Sequence, residues 1–229
     1  MKVFSAKGDF DYAWMNCVDA DVCGLLNYVA NDGAYIDRSV PVALSVGGYG
    51  RRGDWVETDC PKNPAYGTVV LSERAVAAFG AMLTDAGYLL DTTLDAATRY
   101  KLFICERQVD ALDLERSDFT RFRDGGVKDV LRHELRADLL ADLDVFRLKH
   151  RRSQVFVSDR FVARAESHGL TGFVFTELWS SDTGGVPLTL PGIPIQQVPG
   201  EFARDARKKR QALRKELARR AAAVAATPT

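Results

Sequence analysis

Apolar and polar positions follow their clearest pattern between Asp144 and Leu178. Val155, Phe156 and Val157 form a short β-prone run. Ser158 follows, and its hydroxyl suits an N-cap because it can accept from an orphan N–H of the first helical turn. Asp159 comes next, where the helix dipole favours a carboxylate. Phe161, Val162 and Ala165 then recur at helical spacing, Gly169 provides a stop, and Gly172 to Phe175 resumes as a strand. The pattern predicts strand, Ser-capped helix, strand.

The same arrangement occurs earlier. Thr68 to Leu71 is β-prone, Ser72 is the cap and Glu73 the acidic first-turn residue. Ala75, Val76, Phe79, Met82, Leu83 and Ala86 form an apolar stripe that predicts a helix over 73–86, ended by Gly87. Both copies read apolar strand, Ser, acid, Arg. Any strand-to-helix junction favours a Ser cap and an early acid, so an internal repeat and two independent junctions both account for the pattern.

Residues 1–66 are rich in Gly, Asp, Asn, Pro and aromatics, with apolar runs at Leu25–Ala30 and Val42–Val46, and read as short strands and turns with one helix. Tyr100 to Cys105 is a strand, and 127–143 reads as a strand to about Arg136 followed by a short helical turn. The stretch 179–200 holds four prolines and four glycines and reads as an extended arm. Residues 201–226 lack both and are rich in Ala, Lys and Arg, which predicts a basic, mainly solvated helix. The expected fold is α+β. Strands near 68–71, 100–105, 155–157 and 173–178 share one mixed sheet, and helices 73–86 and 159–168 pack on it through Phe79, Met82, Phe161 and Val162. The expected organisation is a domain over 1–178, the arm over 179–200 and the basic tail over 201–229.

Charge sharpens the division. The chain of 229 residues carries 31 bases and 31 acids, but nine bases and three acids lie from Glu201 onward. The remaining 22 bases and 28 acids leave residues 1–200 with six excess negative charges. No stretch approaches the roughly 18–20 apolar residues of a membrane span, and the expected location is the cytoplasm. Cys17, Cys23, Cys60 and Cys105 form no C-x-x-C pair and have no neighbouring His, so reduced, mostly buried thiols are expected and no metal.

Motifs for chemistry are thin. Gly48-Tyr49-Gly50-Arg51-Arg52-Gly53 matches G-x-G-x-x-G, yet Pro61 and Pro64 follow where a dinucleotide site needs a continuous helix. A nucleotide-binding enzyme using this loop is the alternative reading, as is a regulatory nucleic-acid-binding module acting through the basic tail. His133, His150 and His168 sit among charges and read as surface histidines. No catalytic residue and no cofactor is expected.

Taken in order, VVLSERAVAAF, YKLFICERQVDALDLERSDF, LDVFRLKHRRSQVFVSDRF and GLTGFVF carry a family resemblance over roughly 66–178. The matching features are the two Ser-acid-Arg helix starts, Asp110-Ala111-Leu112-Asp113 followed by Ser117, the Phe146-Arg147 pair, and the Gly169 to Gly172 exit. The chain resembles the DUF1629 proteins, grouped as the eleventh-numbered immunity family of bacterial polymorphic toxin systems. Residues 1–65 fit less well, and the arm and basic helix look like additions. The resemblance implies an α+β immunity protein that binds a cognate toxin and blocks it without catalysis. The acidic body is expected to meet the toxin through Asp110, Glu115, Asp118, Asp138 and Asp142, with Asp113 held in a structural turn. The basic helix is expected to dock on that body or on a second copy, giving a homodimer. Neither a membrane nor a nucleic acid is an expected partner.

Overall fold

A computed structural model describes residues 1–9, 12–32, 36–46, 57–62, 65, 67–94 and 100–187. The Gly48–Gly53 loop and the basic helix of 201–226 lie outside the described residues.

Among the described residues the strands are β1 (Lys2–Gly8), β2 (Met15–Cys17), β3 (Val42–Val46), β4 (Thr68–Ser72), β5 (Gly87–Thr93), β6 (Tyr100–Cys105), β7 (Gln108–Val109), β8 (Asp118–Arg121), β9 (Val127–Arg132), β10 (Val145–Leu148), β11 (Arg151–Ser158), β12 (Phe173–Ser180) and β13 (Gly184–Gly185). The helices are α1 (Ala20–Asp32), α2 (Glu73–Phe79), α3 (Ala81–Thr84) and α4 (Asp159–Ser167), with a 3₁₀ turn over Ala137–Leu139. The fold class is α+β.

The expected single sheet is two. One has the order β13-β12-β1-β11-β10-β7 and the other β2-β3-β5-β6-β4. Strands 68–72 and 100–105 therefore belong to a different sheet from 151–158 and 173–180. The reason is burial on both faces. Val155 and Val157 of β11 point into one apolar cluster with Leu71 and Phe103, while Phe156 between them points into another with Val3, Phe146 and Leu178. In the second sheet Leu71 and Phe103 share the first cluster, whereas Val70, Leu102 and Ile104 face a third with Leu26 of α1. The two sheets thus face each other across a shared core. Helix α1 covers the outer face of one, and the excursion 111–143 covers the outer face of the other.

Each sheet contains the same three-strand arrangement. In one, β6 lies antiparallel between β4 and β5, the strands before and after the α2–α3 segment. In the other, β1 lies antiparallel between β11 and β12, the strands before and after α4. Ser72 sits opposite Tyr100 and Ser158 opposite Val3. The central strand follows its helix in the first case and comes from the far N-terminus in the second.

The helix read over 73–86 is interrupted. Gly80 takes φ +48° between α2 and α3, a conformation that suits glycine and turns the chain before Leu83 is buried. Helices α2 and α4 meet through Phe79 and Phe161, whose rings stack with centroids 3.8 Å apart. Met82 and Val162 pack against the same core from its edge. Each helix also lends an arginine to the C-terminal end of the other. Arg74 donates to the Gly169 carbonyl at 3.1 Å and Arg164 to the Ala78 carbonyl at 2.7 Å, satisfying acceptors that a helix end leaves open.

Candidate functional site

The two Ser-acid-Arg junctions organise the surface. Ser72 Oγ accepts from the Ala75 N–H at 3.1 Å and donates to Asp59 Oδ1 at 2.6 Å. Arg74 closes on the same carboxylate, with Nε 3.0 Å from Oδ1 and Nη2 on Oδ2. Ser158 repeats the arrangement: its Oγ accepts from Phe161 N–H at 3.2 Å and donates to Asp144 Oδ1 at 2.7 Å. Arg160 Nε reaches that carboxylate at 2.8 Å. In both, the backbone N–H of the Ser donates to the carbonyl of the Asp. Both hydroxyls are thus engaged on two sides, which makes them structural groups rather than nucleophiles.

Asp59 is the deeper of the two. Burial pushes its carboxyl up, and the Arg74 guanidinium, Ser72 hydroxyl and Thr171 amide outweigh that and bring it down to about 2. Thr171 N–H donates to Oδ2 at 2.8 Å, so Asp59 also holds the exit of α4. That exit needs glycine at 172, where φ is +78° and a Cβ would lie 1.8 Å from Thr58 Oγ1. Asp144, in contrast, anchors the end of the excursion, and Arg160 adds a bond to the Ala141 carbonyl.

The excursion carries four of the five candidate acids, and Asp110 lies immediately before it. Asp110 lies among Lys149 Nζ at 3.0 Å, His150 Nε2 at 3.3 Å and Arg136 Nη2 at 3.9 Å, and Lys149 leads in holding its carboxyl below the usual range. Asp118 pairs with Arg132 Nε at 2.8 Å. Glu115, Asp138 and Asp142 are exposed. Asp113 Oδ1 accepts from the Glu115 and Arg116 N–H groups at 3.0 and 3.1 Å, which closes the turn that presents Glu115. Ser117 is buried behind it and exchanges hydrogen bonds with the Glu134 backbone. Exposed apolar side chains stand in the same layer: Leu114, Leu139, and Phe122 at the tip of the β8–β9 hairpin. Residues 106–144 hold eleven acids and seven bases, an excess of four negative charges.

His133 departs from its surface reading. It is 2 % exposed, edge-on to Phe156, and neither ring nitrogen has a partner. Burial, with Arg151 adding to it, pulls its imidazole down to about 4. Its charged neighbours Arg132 and Glu134 mask the signal, although Leu131 and Leu135, of the same strand parity as His133, are apolar. A Cβ on Gly185 would lie 2.1 Å from the His133 carbonyl oxygen. Arg147, also 2 % exposed, donates to the Arg152 carbonyl at 3.2 Å, and burial lowers its basicity.

Two open clefts lie elsewhere. One of about 330 Å³ runs between β1, β4 and β11 and is lined by Lys7, Lys62 and Arg151 among others. A second of about 340 Å³ lies over the Asp59 clamp, with Glu57, Glu73 and Tyr100 in its wall.

The family described as Immunity protein family (Imm11) matches residues 52–179, more than half of the chain. The chain belongs to the Imm11 immunity protein family. No curated protein matches it. The Imm11 match spans both clamps and the whole excursion. It leaves out β1, which nevertheless fills the centre of the six-stranded sheet. No helix among the described residues is long and apolar enough to cross a membrane.

Proposed function

We propose that this Imm11 protein binds the toxin domain of a polymorphic toxin system in the cytoplasm and neutralises it without catalysis. Membership of the immunity family is the observation that carries the reading. The acid-bearing excursion is the surface that meets the toxin. Toxins that act on nucleic acid or nucleotides need basic clefts for phosphate, and carboxylates on a rigid scaffold can occupy such a cleft. Complementary charge also speeds encounter, which matters when free toxin must be caught before it acts.

All five acids are exposed, and Asp110 and Asp118 are held by neighbouring bases, so Glu115, Asp138 and Asp142 are the leading contacts and the other two contribute. Leu114 and Leu139 give that surface apolar anchors beside the acids. The body carries this function, and it reaches past 178, because β12 runs to Ser180 and β13 adds Gly184–Gly185 to the six-stranded sheet; the rest of the stretch to 200 leads on to the basic tail over 201–229. Truncation after Gly200 leaves a folded, toxin-binding protein on this reading; an insoluble or unfolded product refutes that division.

The test of the function is association with the cognate toxin at low and high salt. The on-rate should fall steeply as salt rises, and Glu115→Lys with Asp138→Lys and Asp142→Lys should slow association while leaving the fold intact. Salt-independent association, with full protection of cells by the triple variant, would refute the acidic surface. Absence of any toxin binding or protection by the native chain would refute the immunity reading for this protein.

A further inference from the structure

The cleft of about 330 Å³ is lined by unbroken runs of residues: 5–8 in β1, 67–70 at β4 and 153–155 in β11. The face of a strand would offer every second residue, because side chains alternate across a sheet. Unbroken runs mean that the cleft follows strand edges, where N–H and C=O groups point. The pairing agrees. β1 is paired with β12 from Lys2 to Gly8, but with β11 only from Val3 to Ser5. β11 runs on to Arg151 beside β10 alone. Past Ser5 and Phe156 the two central strands of the six-stranded sheet therefore part. β4, the last strand of the other sheet, brings a third edge to the gap, since it pairs only with β6. Gly8 packs against the wall of this slot, where a Cβ would lie 2.7 Å from the Lys62 backbone. That backbone is fixed in turn, with Lys62 N–H donating to the Ala13 carbonyl at 3.0 Å and its carbonyl accepting from Met15 N–H at 2.7 Å.

The slot is basic in an acidic body. Lys7, Lys62 and Arg151 line it, and no Asp or Glu does among the described residues. Lys7 is exposed and has no ion-pair partner among the described residues. Lys62 Nζ stands 4.7 Å over the Trp14 ring, and burial followed by the neighbouring Lys7 lowers its basicity. An anion between the two ammonium groups relieves that repulsion. Ser5 is 7 % exposed, and neither its hydroxyl nor the Gln154 amide has a hydrogen-bond partner among the described residues. Arg151 links the slot to the excursion, with Nη1 donating to the Lys128 carbonyl at 2.8 Å and lying 3.6 Å from Asp129 Oδ1.

We propose, on the immunity reading above, that this slot takes an extended, carboxylate-bearing segment of the toxin, which adds as a strand to the free edges of β1 and β11. Main-chain groups of the segment pair with those that the parting strands leave open. Lys7 and Lys62 meet its carboxylates, and Ser5 and Gln154 offer hydrogen bonds beside them. One toxin then meets acids on the excursion and bases in the adjoining slot, and that reversal of sign fixes its orientation.

Amide hydrogen exchange of the full chain, with and without the cognate toxin, tests this. Bound toxin should slow exchange in 5–8 and 153–155 as well as in the excursion. Lys7→Glu sets a carboxylate against the segment at an exposed site and should raise the Kd about tenfold. Toxin that binds but protects only the excursion, with an unchanged Kd for Lys7→Glu, overturns the slot and leaves the immunity reading standing. A native chain that binds no toxin overturns both.

Discussion

The clamps at Asp59 and Asp144 share a serine, an arginine and a carboxylate, yet they are set in different surroundings. The Asp59 side chain is 7 % exposed and takes bonds from Ser72, Arg74 and Thr171, so it joins the start of α2 to the exit of α4. The Asp144 side chain is 21 % exposed and serves the start of α4 and the end of the excursion. The same local chemistry therefore ties the two sheets together in one place and moors a covering layer in the other. Depth and the reach of the partners, not the motif itself, decide how much each clamp contributes. A carboxylate deep in the protein leaves several donors unpaired when it is lost, whereas one nearer the surface surrenders its donors to water.

The largest expected effect bears on the contact between the two helices that these clamps position. Phe161→Ala or Phe79→Ala should cost about 3–5 kcal/mol, and the double variant less than the sum, because one ring stack is lost in each case. Denaturant midpoints check this, and additive costs would mean that the two rings belong to separate cores.

Next in size is the difference between the carboxylates. Asp59→Ala should destabilise by about 3 kcal/mol and Asp144→Ala by about 1 kcal/mol. Equal costs in urea unfolding would break the comparison.

Acid should loosen the two regions in order. His133, on the buried side of the excursion against Phe156, stays neutral in the fold down to about 4, while an unfolded histidine takes its proton near 6.5. Its folded value is depressed, so the unfolded state binds the extra proton and stability falls as pH drops from about 6.5 to about 4, by up to about 3 kcal/mol. The Asp59 carboxyl is likewise depressed, to about 2, so its contribution is intact above the ordinary carboxylate value and is lost only as pH falls from there through about 2. Amide hydrogen exchange against pH should show residues 111–143 losing protection before the Ser72–Arg74 junction. The reverse order would refute the assignment of His133 as the acid-sensitive group.

The smallest effect on stability is expected at the exposed acids. Glu115→Lys, Asp138→Lys or Asp142→Lys should each change stability by less than about 0.5 kcal/mol, as is usual for surface sites. A loss comparable to Asp144→Ala in the same unfolding assay would show that these carboxylates support the fold.

The sequence by itself determined the local junctions. Ser72 and Ser158, the acids after them, the strand over Tyr100–Cys105 and the turn held by Asp113 all depend on neighbours within a few residues, and capping and periodicity are set at that range. It also carried the family resemblance and the acidic character of the body. Only the tertiary structure decided which strands share a sheet, because a short apolar strand buried on both faces reads the same whichever neighbour it pairs with. It alone placed Lys2–Gly8 between β11 and β12, joined Asp59 to Ser72 and Thr171, and buried His133 beneath Gly185. Each of these rests on groups 13 to 178 positions apart, where pairing is fixed by the packing of the whole core and leaves no periodic trace in the chain.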